Sequence, residues 1–159
     1  TKPFELLAGL AGTLRYLEKV GITQGGAPGL PGQGDKFRRP RLLAALSAIR
    51  RYENELGSYL HQRLGAVPGV KVYGITDPAR AAERCPTLAF TLESHQPVEV
   101  ARFLGERGIY VRNGDHYAYE LHRALGLGES GGTVRASLGH YNTRDEVDRL
   151  GDALDELAG

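Results

Sequence analysis

The chain has 159 residues, 41% of them apolar and 25% charged, with a formal net charge of +1. That is enough polypeptide for one real core, and it excludes a global charge bias toward nucleic acid or membrane. One cysteine excludes an intrachain disulfide and fits a reducing, cytoplasmic setting; no apolar run is long enough to span a bilayer, and no signal-peptide pattern opens the chain. Methionine is absent, position 1 included, so the chain reads as processed or as lacking its beginning.

Phe4, Leu7, Leu10, Leu14 and Leu17 recur at helical spacing and Gly21 follows as a stop, which predicts an amphipathic helix over 4–20. A Gly/Pro-rich loop over 24–34 follows; no Gly-Lys-Ser/Thr closes it, so it is not a phosphate cradle. Lys36, Arg38, Arg39 and Arg41 form a basic run, commonly a solvated helix start. Leu42, Leu46, Ile49, Leu56, Leu60 and Leu64 predict a long helix over 40–64 that ends at Pro68-Gly69. Alternation predicts a strand over 70–73, Thr76-Asp77-Pro78 predicts a turn, and the largely apolar run over 87–92 predicts a second, central strand. Cys85 lies between Arg84 and Pro86 with nothing else to activate it, and reads as structural or incidental.

Pro97 opens a helix to Arg107 with Gly108 as the stop, followed by a strand over 109–112 and a turn at Asn113-Gly114-Asp115. A helix over 116–125 closes on Gly126. Val134, Ala136 and Leu138 alternate with Thr133, Arg135 and Ser137, a strand that turns the Arg135 guanidinium away from the apolar face. A planar fork of donors in such a place suits a carboxylate; the plainer reading is a surface arginine paired with a local acid. Thr143 and Glu146 form a capping box for a final helix striped with Val147, Leu150, Leu154 and Leu157. The order of elements predicts an α/β (α+β layered) domain with helices packed on one side of a small sheet.

The turn from Val111 to Tyr119 gathers Arg112, Asn113, Asp115, His116 and Tyr117, residue types that face ligands at strand-to-helix turns. His116 is a candidate acid or base and Tyr117 a candidate orienting group; the alternative is a helix start capped by Asp115 with His116 on the surface. The other histidines, His61, His95, His122 and His140, have no metal-ligand spacing with one another or with Cys85.

Three stretches, in order, resemble the C-terminal part of class V aminotransferase-fold enzymes, the pyridoxal-phosphate group that includes cysteine desulfurases. They are Thr1-Lys2-Pro3-Phe4-Glu5-Leu6-Leu7-Ala8-Gly9, the segment Gly108-Ile109-Tyr110-Val111-Arg112-Asn113-Gly114-Asp115-His116-Tyr117-Ala118, and Val134-Arg135-Ala136-Ser137 with Tyr141-Asn142-Thr143 and Glu146-Val147-Asp148. The resemblance implies the small, mostly antiparallel C-terminal domain of that fold over 35–159, with residues 1–34 trailing from a cofactor-binding domain upstream. It implies that Arg135 holds the α-carboxylate of an amino-acid substrate, that Arg112, Asn113, His116 and Tyr117 lie on the active-site loop, and that Thr1 reaches the cofactor phosphate across a homodimer. Tyr117 stands where the family's desulfurases carry a nucleophilic cysteine, and a phenol does not replace a thiolate that receives sulfur; the likeness is to the subgroup lacking that cysteine.

The family's cofactor-anchoring lysine lies upstream of Thr1, and Lys2, Lys19, Lys36 and Lys71 match no such motif. The expectation is therefore that pyridoxal phosphate belongs to the parent enzyme, a transferase or lyase, while this chain alone binds none, holds no metal and is inactive. Two other readings stay open: a stand-alone binding module, drawing on the basic run, and a domain that only supports assembly.

Overall fold

A computed structural model describes residues 2–29 and 38–159. Its elements are α1 (Phe4–Thr23), α2 (Arg38–Gly65), β1 (Val70–Tyr73), a 3-10 helix (Pro78–Glu83), β2 (Thr87–Leu92), α3 (Pro97–Glu106), β3 (Arg112–Gly114), α4 (Tyr119–Ala124), β4 (Thr133–Ser137) and α5 (Arg144–Ala158). The chain divides into two compact units, Thr1–Tyr52 and Glu53–Gly159, so α2 contributes to both.

In the first unit α1 meets the start of α2 at a glycine. A Cβ on Gly21 would stand 2.0 Å from the carbonyl oxygen of Arg41, so only hydrogen permits the approach. Glu18, 3% exposed, accepts from Arg38 at 3.1 Å. Arg41 is fully buried and its Nε donates to the Pro28 carbonyl at 3.3 Å. The basic run is split: Arg38 and Arg39 are exposed at the start of α2, Arg38 also pairing with Glu18, whereas Arg41 is interior and Lys36 lies outside the described residues. Phe4, Leu6, Leu7 and Leu10 of α1 are exposed.

The second unit is a four-stranded sheet in the order β1-β2-β4-β3, with every pairing antiparallel. Strand alternation sends Leu88, Phe90 and Leu92 of β2 and Val134 and Ala136 of β4 to one face, where all are buried. Leu56, Leu60 and Leu64 of α2, Val100 and Leu104 of α3, and Val147, Leu150 and Leu154 of α5 complete that core. Helices thus cover one side of a small sheet, the layered α/β architecture expected. Thr143 caps α5 as predicted: its Oγ1 accepts from the Glu146 amide and the Glu146 carboxylate accepts from the Thr143 amide.

Two elements differ from expectation. The strand expected over 109–112 runs instead from Arg112 to Gly114, because the Ile109 amide donates to the Leu104 carbonyl and closes α3 rather than joining the ladder. Asn113 and Gly114 are consequently strand residues, not a turn. The helix expected from His116 begins only at Tyr119, since His116 (φ 53°) and Tyr117 (φ 62°) are left-handed and the Ala118 amide donates to the Asp115 carbonyl. The 3-10 turn at Pro78–Glu83, capped by Asp77, has no counterpart in the sequence reading.

Candidate functional site

Arg135 and Arg112 lie on the sheet face away from the core. Tyr73, Ala89, Arg135 and Arg112 lie side by side across β1, β2, β4 and β3. Arg135 and Arg112 are direct cross-strand partners, with Cα atoms about 4.5–5.5 Å apart in such a pair. Like charges placed opposite each other oppose pairing, yet no carboxylate of the described residues forms a salt bridge with either guanidinium. The Arg135 Nε is buried and has no hydrogen-bond partner among the described residues. Among the described residues the plainer reading, an arginine paired with a local acid, finds no such acid.

Next to this pair stands an imidazole cluster. Thr133, two residues before Arg135 on the same face of β4, is 2% exposed. Its Oγ1 is 3.1 Å from His116 Nε2 and 3.2 Å from His122 Nε2. The rings of His116 and His122 meet edge to face at 5.9 Å. Burial lowers the His116 pKa from its ordinary value, and the Arg135 charge lowers it further, so the imidazole is held neutral. Asp115 shapes the turn: its carboxylate accepts from the Tyr117 amide at 3.0 Å. Two consecutive left-handed residues other than glycine are costly, and such outliers concentrate at functional turns.

The structure brings Arg135, Arg112 and His116 together. It does not bring Asn113 to them, because Asn113 pairs with Val134 and alternates to the other side of β3. Tyr117 is 99% exposed and touches none of them. Thr1 lies outside the described residues. Sequence reasoning missed Thr133 and His122 as members of the cluster; no local pattern announces a contact between residues 11 apart across a turn.

Cys85 is exposed and lines a separate cavity of about 410 Å³ with His61, Asp77 and Arg84. None of the predicted site residues lines it. Arg84 is committed there to the carbonyls of Ile75 and Thr87.

Fold and site together define a helix-backed antiparallel domain with two guanidiniums that have no acidic partner among the described residues, beside an imidazole whose pKa is lowered. Comparison with known proteins is more specific. The aminotransferase class-V family model matches residues 42–150, and the chain belongs to that family. A probable cysteine desulfurase of Methanothermobacter thermautotrophicus is 38% identical over 112 residues, 70% of this chain and 27% of that protein. A probable cysteine desulfurase of Staphylococcus aureus is 32% identical over 146 residues, 92% of this chain and 28% of that protein. Among solved structures, the apo cysteine desulfurase of Thermococcus onnurineus superposes with a TM-score of 0.64 at 29% identity, covering 82% of this chain and 32% of that one. The chain thus spans little more than a quarter of the length of these curated relatives.

The family implies pyridoxal phosphate, and the residues on the page fit only part of that chemistry. The orphaned Arg135 Nε fits the carboxylate of an amino acid bound to the cofactor. Among the described residues of Glu53–Gly159 no lysine for the aldehyde stands beside it: Lys71 lies on β1, beyond β2 from Arg135, with its ammonium 5.2 Å from the Tyr73 ring centroid.

Proposed function

We propose that this chain is the substrate-clamping part of a pyridoxal-phosphate-dependent enzyme of the cysteine desulfurase-like kind, acting on an amino acid. Arg135 grips the α-carboxylate, and Arg112 adds positive potential from the neighbouring strand. The observation that carries this reading is a buried guanidinium nitrogen left without a hydrogen-bond partner among the described residues. A protein bears that cost where a ligand completes the pairing. The cofactor supplies electron withdrawal at the substrate's α-carbon; its anchoring lysine and its ring site come from polypeptide other than the residues described here, in keeping with the short span of the relatives that is matched. On this reading the isolated chain does not catalyse, and the parent enzyme is a homodimer. Tyr117, exposed at the loop where desulfurases of the resembling kind have their cysteine, takes no part in sulfur transfer.

The test is kinetic, in the intact protein loaded with cofactor. Arg135→Lys keeps the charge but loses the fork. It is expected to raise KM for the preferred amino acid far more than it lowers kcat. An unchanged KM would sink the carboxylate assignment.

A second reading, a domain that serves assembly alone, draws on the exposed apolar side chains of α1. Sizing across a dilution series separates the two, since assembly without amino-acid binding is its signature. A nucleic-acid module draws less on the basic run, since Arg41 is buried and Arg38 pairs with Glu18, which leaves Arg39 and the exposed part of Arg38.

A further inference from the structure

The imidazole cluster carries a proton assignment that follows from donor and acceptor counting. The Ala118 carbonyl lies 3.1 Å from His122 Nδ1 and can only accept, so Nδ1 bears the proton. In a neutral imidazole one nitrogen donates and the other accepts, and in that form the Nε2 of His122 is a lone pair. It accepts from the Thr133 hydroxyl at 3.2 Å. That hydroxyl has one proton and has now spent it, so toward His116 it can only accept. His116 must donate from Nε2, at 3.1 Å. Its hydrogen bond to the Thr133 backbone, which raises the His116 pKa and so is donated by the ring, belongs on the same count to Nε2–H; Nδ1 is left as a lone pair on a residue that is only half-buried.

The placement gives that lone pair a use. Thr133 and Arg135 are two residues apart on one face of β4, roughly 7 Å along the strand. His116 is anchored over the first and is close enough to the second to feel its charge. A ligand whose acid group lies on Arg135 therefore carries its neighbouring atoms past an imidazole that accepts.

We propose that Thr133 and His122 are positioning residues that hold His116 as its Nε2–H tautomer, so that Nδ1 is the hydrogen-bond acceptor for the amino group of an α-amino acid gripped by Arg135. The last clause rests on the proposed function; the tautomer assignment does not. When the ligand arrives as an ammonium, its proton passes to Nδ1, which leaves a free amine and an imidazolium. The titratable and charged groups facing His116 are His122 on α4, Arg135 on β4 and Asp115 on its own turn. Arg135 opposes that imidazolium, which keeps the transfer reversible.

Two-bond proton–nitrogen correlation spectra of histidine-labelled intact protein, above neutral pH, read the tautomers directly. His116 is expected as Nε2–H and His122 as Nδ1–H. Thr133→Val keeps the shape but removes the hydroxyl, and should convert His116 to a tautomer mixture; Thr133→Ser should restore it. His122→Phe provides a second route to the same mixture should the valine variant not fold. Amino-acid affinity should fall roughly fivefold in Thr133→Val, the worth of one hydrogen bond, and recover in Thr133→Ser. A wild-type spectrum with His116 as Nδ1–H overturns the proposal, as does a valine variant that leaves the His116 tautomer unchanged. Correct tautomers with affinity lost in Arg135→Lys but untouched in Thr133→Val overturn the amine-acceptor role alone. Correct tautomers with affinity untouched in both variants overturn the Arg135 reading instead.

Discussion

An arginine kept for a ligand should cost its own protein stability, and Arg135 allows this to be tested without any ligand. Arg135→Met preserves the unbranched stem and its packing while removing the charge and the donors. In the free protein the buried Nε has no partner among the described residues, and an unsatisfied buried donor costs about 1–3 kcal/mol. The cross-strand Arg112 adds repulsion, worth roughly 0.2–1 kcal/mol for directly opposed like charges. Partial solvation of the guanidinium tip offsets some of this, since Arg135 as a whole is only half-buried. The net expectation is a gain of about 1–2 kcal/mol. For a protein of this size that raises Tm by roughly 2–8 °C, and it moves the urea midpoint upward at unchanged slope. The assay is paired thermal and urea unfolding of the intact protein and the variant, without amino acid. A loss of about 1 kcal/mol or more would refute the reasoning, because the guanidinium would then be a structural partner rather than a vacant clamp.

Other outcomes follow from the same geometry. Gly132→Ala should destabilise by about 2 kcal/mol or more, because φ is +86° and the new Cβ would stand 2.3 Å from the Gly114 carbonyl oxygen; a stable variant in equilibrium unfolding would show that the β3–β4 approach is loose. Thr143→Ala removes the acceptor for the Glu146 amide and should cost about 1 kcal/mol, read as a shift in urea midpoint. His61 and His116 both have pKa values lowered from 6.5, chiefly by burial and then by Arg84 and Arg135 respectively. The unfolded chain therefore binds more protons, so their contribution to stability is complete above about pH 6.5 and is lost as the pH falls through the lowered values. A urea midpoint that rises on acidification from pH 7 to pH 5.5, roughly the window set by an unperturbed histidine, would contradict this.

Much of the scaffold could be read from the chain because its signals are local. The capping box at Thr143 and Glu146, the apolar run that makes β2 an inner strand and the direction of the Arg135 side chain are properties of a few neighbouring residues, and all three recur in the structure. What could not be read depends on contacts distant in sequence or on unusual backbone. The shift of β3 to Arg112–Gly114 follows from the Ile109 amide being used by α3. The left-handed pair at His116 and Tyr117 is uncommon for residues other than glycine, histidine being less averse to it than tyrosine, and two in succession have no sequence signal. The opposition of Arg112 and Arg135 depends on strand register, and the Thr133–His122 contact on the return of the chain after α4. The guanidinium was legible as a candidate; its lack of an acidic partner among the described residues was not.

The central claim is that Arg135 recognises an acid group, and the most direct measurement compares an amino acid with its α-carboxamide as ligands of the intact, cofactor-loaded protein. Binding titrations of wild type should favour the acid by roughly 10- to 100-fold, the worth of a charge-assisted pair. Arg135→Met should bind acid and amide alike. Equal affinities in the wild type, or a preference for the acid that survives Arg135→Met, would contradict the account.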